Sequence, residues 1–261
     1  MKQLGDIKTL SELSSSQWGM FTTAQAIRSG VTRRQLSELS KKGHIERIDF
    51  GAYHLEGAPT ERFSDIKAAW ISIEPQKYVW ERLAEWEKGI VVGGHTAANL
   101  YEVGDLWPSP FLFMSQNRKQ TRKEEITFRK FALSRNDVTL IEGLPVTSPE
   151  LTIATLASES TDLSHIETVV SDLYKIRSID EKKLAVLLSP YSKKYGFGLR
   201  NGKAFTYQLL WHAITRRLFI TEDSQRQLRF FDNEMSRDLI DSHMEQLARI
   251  SEGIKSTERD V

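Results

Sequence analysis

The chain has 261 residues, 39% of them hydrophobic, which is enough apolar material for about two folded units. It has no Cys, no apolar run of about 18 residues and no apolar stretch at its start, so disulfides, thiolate chemistry, a membrane span and a secretory signal are not expected, and a cytoplasmic protein is. The net charge of +1 does not by itself mark a nucleic-acid binder, but the charge is unevenly spread along the chain.

Leu4, Ile7, Leu10 and Leu13 recur at helical spacing and predict a first helix, which "SSSQWGMF" interrupts. Thr22 with Gln25, and Thr32 with Gln35, each read Thr-x-x-Gln, the pattern of a helix N-terminal capping box. The first box opens "TAQAIRS" and the second a helix running to Lys42. Gly30 and Gly43 end these helices, because Gly adopts the left-handed backbone of a helix stop without strain. Two capped helices joined by a short Gly turn predict a helix-turn-helix. "HIERIDFGAYHL" then places Gly51 between Ile45/Ile48 and Tyr53/Leu55, which predicts a two-stranded wing. Residues 1–57 are therefore expected to form a winged helix-turn-helix.

"EGAPTE" reads as a linker. Beyond it "RFSDIKAAWISI" and "KYVWERLAEWE" are helical, "GIVVGG" is extended and "HTAANLYEV" is a short helix. "FLFMS" and "EITFRKFAL" predict strands around a polar, basic turn, and residues 115–135 hold seven Lys/Arg against two Asp/Glu. "VTLIEGLPVTS" predicts one or two more strands. Residues 58–147 are expected to be a small mixed α/β unit. Ser148 followed by Pro149 is a helix start, and residues 148–261 read as helical. Ile166, Val169, Val170 and Leu173 share one helical face, and Leu228, Phe231, Met235, Leu239 and Leu247 suggest a long amphipathic helix or a pair. The expected fold class is α/β, predominantly helical.

Projected at helical spacing, Leu36 and Leu39 define the buried side of the second capped helix, with Arg34, Ser37 and Lys41 nearly opposite and Arg33 on a flank. A recognition helix offers its N-terminal and outward residues to base edges in the major groove. Arg suits guanine and Ser bonds several base edges, so Arg33, Arg34 and Ser37, with Thr32 beside them, are the candidate base readers. Lys41, Lys42 and Arg47 stand where phosphate contacts belong. The alternative is an ordinary solvated face, with Arg34 and Glu38 paired one turn apart. The paired caps, the Gly turn and the wing favour DNA.

Other patterns are weaker. "VVGGHT" lacks the spacing and Lys of a nucleotide-binding loop and reads as a turn followed by a helix capped by Thr96. The six His are scattered without metal-ligand spacing, no catalytic order is recognisable, and neither cofactor nor metal nor enzymatic activity is expected. Residues 189–221 hold six Lys/Arg against no Asp/Glu. There Lys193, Lys194, Arg200, Lys203, Arg216 and Arg217 interleave with Tyr191, Tyr195, Phe197, Phe205, Tyr207, Trp211 and Phe219. The pattern fits a surface for nucleic acid or for an acidic protein partner, and equally a core of aromatics with solvated charges.

"FTTAQAIRSGVTRRQLSELSKKGHIERIDFGAYHL" resembles the N-terminal winged helix of AbiEi-type antitoxins of type IV toxin–antitoxin systems. "VVGGHTAANLYEVGDL" and "IEGLPVTSPELTIATLA" resemble later segments of the same family in the same order, so the resemblance covers roughly residues 18–158. It implies a bacterial transcriptional autorepressor that binds its own repeated operator DNA cooperatively, starting from a monomer. It also implies an antitoxin, with phage defence as a setting, that counteracts a nucleotidyltransferase-like toxin through the C-terminal part. The family wing usually carries a basic residue before its Gly, whereas Asp49 and Phe50 stand there in this chain. Two other function classes stay open: a protein-binding module that blocks the toxin, and a general winged-helix regulator without one.

Overall fold

Both capping boxes form, and they set the geometry of the N-terminal unit. The computed structural model describes residues 2–49, 51–86 and 89–220. Thr22 caps α2 (Thr23–Arg28) and Thr32 caps α3 (Arg33–Lys41), with the Gln three residues on returning the bond in each case. Gly30 and Gly43 follow the two helices at φ of 90° and 75°, a backbone that a Cβ would strain. Ahead of them α1 (Lys2–Ser14) buries Leu10, which packs with Phe21, Ala26, Val31, Leu36, Leu39 and Ile45 in one small core. The wing is β2 (Ile45–Asp49) paired antiparallel to β3 (Ala52–Leu55). A third strand, β1 (Met20–Thr22), pairs with the other edge of β3. It comes from the interrupted stretch, where Trp18 and Gly19 at positive φ turn the chain out of α1.

Among the described residues, those after the wing form a five-stranded mixed sheet covered by helices. In chain order come α4 (Ser64–Ile73), α5 (Val79–Ala84), β4 (Ile90–Val92), α6 (Gly94–Tyr101), β5 (Phe111–Ser115), β6 (Ile126–Lys130), β7 (Val138–Ile141) and β8 (Leu144–Thr147). Among the described residues the α-helices that follow are α7 (Pro149–Ser158), α8 (Leu163–Ile176), α9 (Glu181–Leu188) and α10 (Gly202–Ile220). The strand order is β6-β5-β4-β8-β7. Side chains alternate across this sheet, as the strand period requires. Val92 and Phe113 face a large core shared with α4, α6 and α7–α10, while Val91 and Met114 face a smaller one with Leu133 and Leu151. The large core draws on residues from both sides of position 147, including Val146, Ile153, Val169, Leu184 and Phe205. None of the helices among the described residues is long and apolar enough to cross a membrane.

Two local expectations are corrected. The basic stretch after β5 is not a tight turn: β5 and β6 run parallel, so residues 116–125 carry the chain back along the length of a strand. Thr96 does not cap α6. Gly93 holds the cap position, and Thr96 lies inside the first turn, where its hydroxyl accepts from the Leu112 backbone at 2.8 Å and donates to Pro108 O. The amphipathic residues Leu228, Phe231, Met235, Leu239 and Leu247 lie outside the described residues.

α10 starts tight against α9 at Gly202, where a Cβ would stand 1.9 Å from the Ala185 carbonyl oxygen and 2.7 Å from the Ser189 nitrogen. Both neighbours are backbone and cannot swing aside. Gly202→Ala is expected to destabilise the protein by about 1–3 kcal/mol or more, measured as a lower midpoint in urea unfolding.

Candidate nucleic-acid interface

Burial divides α3 as the helical projection predicts. Leu36 and Leu39 are each 1% exposed, whereas Arg33, Arg34, Ser37 and Lys41 are exposed, as is Lys42 at the C-cap. Gln35 is committed: its side chain accepts from the Thr32 backbone at 2.8 Å and donates to Asp6 Oδ2 at 2.8 Å, tying α3 to α1. The Thr32 hydroxyl is likewise held at the cap, accepting from the Gln35 backbone. Arg34 Nε lies 3.0 Å from Glu38 Oε1, with the two side chains 90% and 55% exposed. Such a pair is worth only about 0.3–0.5 kcal/mol in water, so a phosphate or a base edge can displace it.

Arg33 and Arg47 share one cleft of about 890 Å³, bounded by α2, α3 and the wing on one side and by Ser72, Pro75 and Gln76, at the corner between α4 and α5, on the other. Arg34, Ser37, Lys41 and Lys42 are not among its lining residues. The candidate residues are thus divided between this cleft and the rest of the exposed surface of α3.

The position of the helix-turn-helix is fixed by polar contacts that carry it onto the second unit. Gln17 and Gln25, both fully buried, exchange amide bonds at 3.2 Å. Gln25 Nε2 also donates to Lys77 O at 2.8 Å, and Gln17 Oε1 accepts from the Val79 backbone at 3.0 Å. The Thr22 hydroxyl donates to Pro75 O at 2.5 Å. Arg28 makes two bonds to Glu81, at 2.7 and 2.8 Å, and lies over the Tyr78 ring at 4.4 Å. The Arg28 hydrogen bond and a backbone bond from Tyr78 hold the Glu81 carboxyl below its usual range. Asp49, which ends β2, is paired internally: its Oδ2 accepts from Lys123 Nζ at 2.6 Å. Lys123 also donates to Ser72 Oγ at 3.0 Å. Phe50 lies outside the described residues.

The basic aromatic segment is largely built into the fold. Tyr195 and Phe197 pack on buried Phe205, with ring centroids 5.0 and 4.6 Å apart. Tyr195 Oη donates to Ala157 O and Thr161 O, and Lys194 bonds Ala157 O and Ser160 Oγ. Lys193, Arg200 and Lys203 are exposed, and the last two line a second cleft of about 880 Å³ between α9 and α10. Arg216 and Arg217 fall in the final turns of α10, outside the residues whose side chains are described. Among the described residues no group of three or more His, Asp and Glu could hold a metal ion. His95 has a structural setting instead: Nδ1 lies 3.3 Å from Glu159 Oε2 and Nε2 lies 2.6 Å from Pro110 O. Burial works against its charged form, but the hydrogen bonds to Glu159 and Pro110 and the Glu159 charge outweigh it and raise the pKa.

Sequence reasoning did not anticipate the Gln17–Gln25 pair or the docking role of Lys123. The excess of basic residues over 115–135 was the available signal for the second. Gln25→Ala is expected to cost about 2–4 kcal/mol, because it leaves buried partners at Gln17, Thr22 and Lys77 unsatisfied; thermal and urea unfolding report it. The raised pKa of His95 adds stability that is fully present below the unfolded value of about 6.5 and is lost as pH rises through the higher folded value. Unfolding followed across neutral pH is expected to show this decline, and His95→Gln to flatten it.

No curated protein matches the chain. Among solved structures, the RV2827C protein from Mycobacterium tuberculosis aligns with a TM-score of 0.48 and 15% sequence identity, covering 81% of this chain and 82% of that one. Residues 8–54, spanning most of α1 through the wing, match the family model described as transcriptional regulator, AbiEi antitoxin, so the N-terminal unit is similar to the regulator domain of that family.

Proposed function

We propose that the chain is a DNA-binding transcriptional autorepressor and an antitoxin of type IV, counteracting a nucleotidyltransferase-like toxin encoded next to it. The observation that carries this reading is the exposed, cation-bearing face of α3, capped at Thr32, buried through Leu36 and Leu39, and flanked by a wing. In this reading residues 1–57 bind DNA, residues 58–147 form the unit on which that domain is mounted, and residues 148–261 carry the antitoxin activity. Arg33, Arg34 and Ser37, beside Thr32, read the major groove. Lys41, Lys42 and Arg47 hold phosphates, so affinity falls with salt. Monomers assemble cooperatively on repeated operator sites in the cytoplasm, and no catalytic step is assigned to the chain.

One observation favours a second reading, a module that blocks the toxin by direct contact. Exposed Val186 lies with Arg200 and Lys203 at the α9–α10 cleft, and Leu199, 77% exposed, immediately precedes Arg200. Exposed apolar side chains next to cations suit an acidic protein surface. Co-purification of the neighbouring gene's product with the full chain, lost on Arg200→Glu with Lys203→Glu, is the result expected from that reading.

The DNA reading is tested on duplexes from the region upstream of the chain's own gene. Arg34→Ala is expected to weaken specific binding by about 1–3 kcal/mol, and the Arg33→Ala, Arg34→Ala double variant to abolish discrimination against unrelated duplexes. Undiminished sequence-specific affinity of the double variant in a titration would overturn the assignment.

A further inference from the structure

A parallel pair such as β5 and β6 needs a long connection, but the topology does not require that connection to be basic. Residues 116–125 nevertheless carry Arg118, Lys119, Arg122 and Lys123. Two of the four are engaged internally. Lys119 Nζ lies 3.4 Å from Glu74 Oε1 just after α4, a carboxylate that also faces Arg82 Nε at 3.4 Å. Lys123 bonds Asp49 at the end of β2 and Ser72 in α4. These contacts pin the crossover beside the wing. Ser72 in turn lines the same cleft as Arg33 and Arg47.

Arg118 and Arg122 each directly precede one of the pinned lysines. Both are exposed, and among the described residues neither is in an ion pair. Glu124 and Glu125, also exposed, stand at the far end of the crossover next to β6. A pinned segment bearing exposed guanidinium groups beside a cation-lined cleft has the chemistry of a phosphodiester contact. Arg bonds phosphate oxygens two at a time, and a fixed backbone lowers the ordering cost. The Lys123–Asp49 pair also neutralises the carboxylate that would otherwise repel a phosphate at the wing.

We propose that the β5–β6 crossover is a second DNA-backbone contact, with Arg118 and Arg122 on phosphates next to those held by Arg33 and Arg47. It rests on the DNA reading above and extends the footprint from the winged helix onto the second unit. Because phosphates carry no sequence information, this contact adds affinity without adding specificity.

The test uses the full chain and two duplexes, one from upstream of its own gene and one unrelated, titrated across a salt series. Each lost phosphate contact lowers the slope of log affinity against log salt by about 0.9. Arg118→Ala with Arg122→Ala is expected to lower it by about 2 and to weaken both duplexes by a similar factor. A control, Lys175→Ala with Arg177→Ala near the end of α8, removes the same charge from elsewhere and is expected to leave the slope unchanged. If the crossover variant binds as the parent does, or if the control lowers the slope equally, the crossover is not a contact and the winged-helix reading stands. If the parent chain binds neither duplex, the DNA reading and this proposal fall together. Unchanged melting temperatures verify that the variants are folded.

Discussion

The arrangement of this protein depends on a buried pair of glutamines. Gln17 and Gln25 have no exposed surface, and each carries both amide donors and an acceptor into the protein interior. Such groups are tolerated only when their bonds are met, and here they are met by each other and by the backbone at Thr22, Met20, Lys77 and Val79. Gln25 therefore closes the N-terminus of α2 and also joins that helix to the segment ahead of α5. Shifting the helix-turn-helix relative to the second unit breaks several of these bonds together, a cost that hydrophobic contact alone would not impose.

Apolar contacts reinforce the same joint. Met20 and Ala52, from the strands of the N-terminal unit, belong to the large core of the second unit, and Trp18 packs edge-on against Trp70 with centroids 6.1 Å apart. Lys67, fully buried, faces the Trp18 ring and is neutralised by Glu61 at 2.7 Å. The wing is held from the other side through Asp49 and Lys123. Cations that serve the architecture, such as Arg28, Lys67 and Lys123, are thus distinguishable from those left in water on α3. A count of basic residues cannot make that distinction, because an Arg at a joint and an Arg on a free face contribute the same charge.

The same joint shapes the candidate interface. Because the corner between α4 and α5 approaches the wing, Arg33 and Arg47 sit in a two-walled cleft, whereas Arg34, Ser37 and Lys41 are exposed on the helix beyond it. A rigid mount for α3 means that DNA would meet a preformed surface, which reduces the ordering cost of binding.

Local chemistry determined what the sequence alone could settle. The two Thr-x-x-Gln boxes, the glycines after α2 and α3, the wing around Gly51 and the Ser148–Pro149 start of α7 each depend on residues within a few positions of one another, and all appear as read. The outward face of α3 was legible for the same reason, since helical periodicity is a local property. Tertiary structure decided the rest. The parallel pairing of β5 and β6, the third strand on the small sheet, the place of Thr96, the partner of Asp49 and the second role of Gln25 are set by residues up to 74 positions apart. A sequence pattern shows that a polar side chain needs a partner, but which partner it meets is fixed only when packing brings distant segments within hydrogen-bond reach.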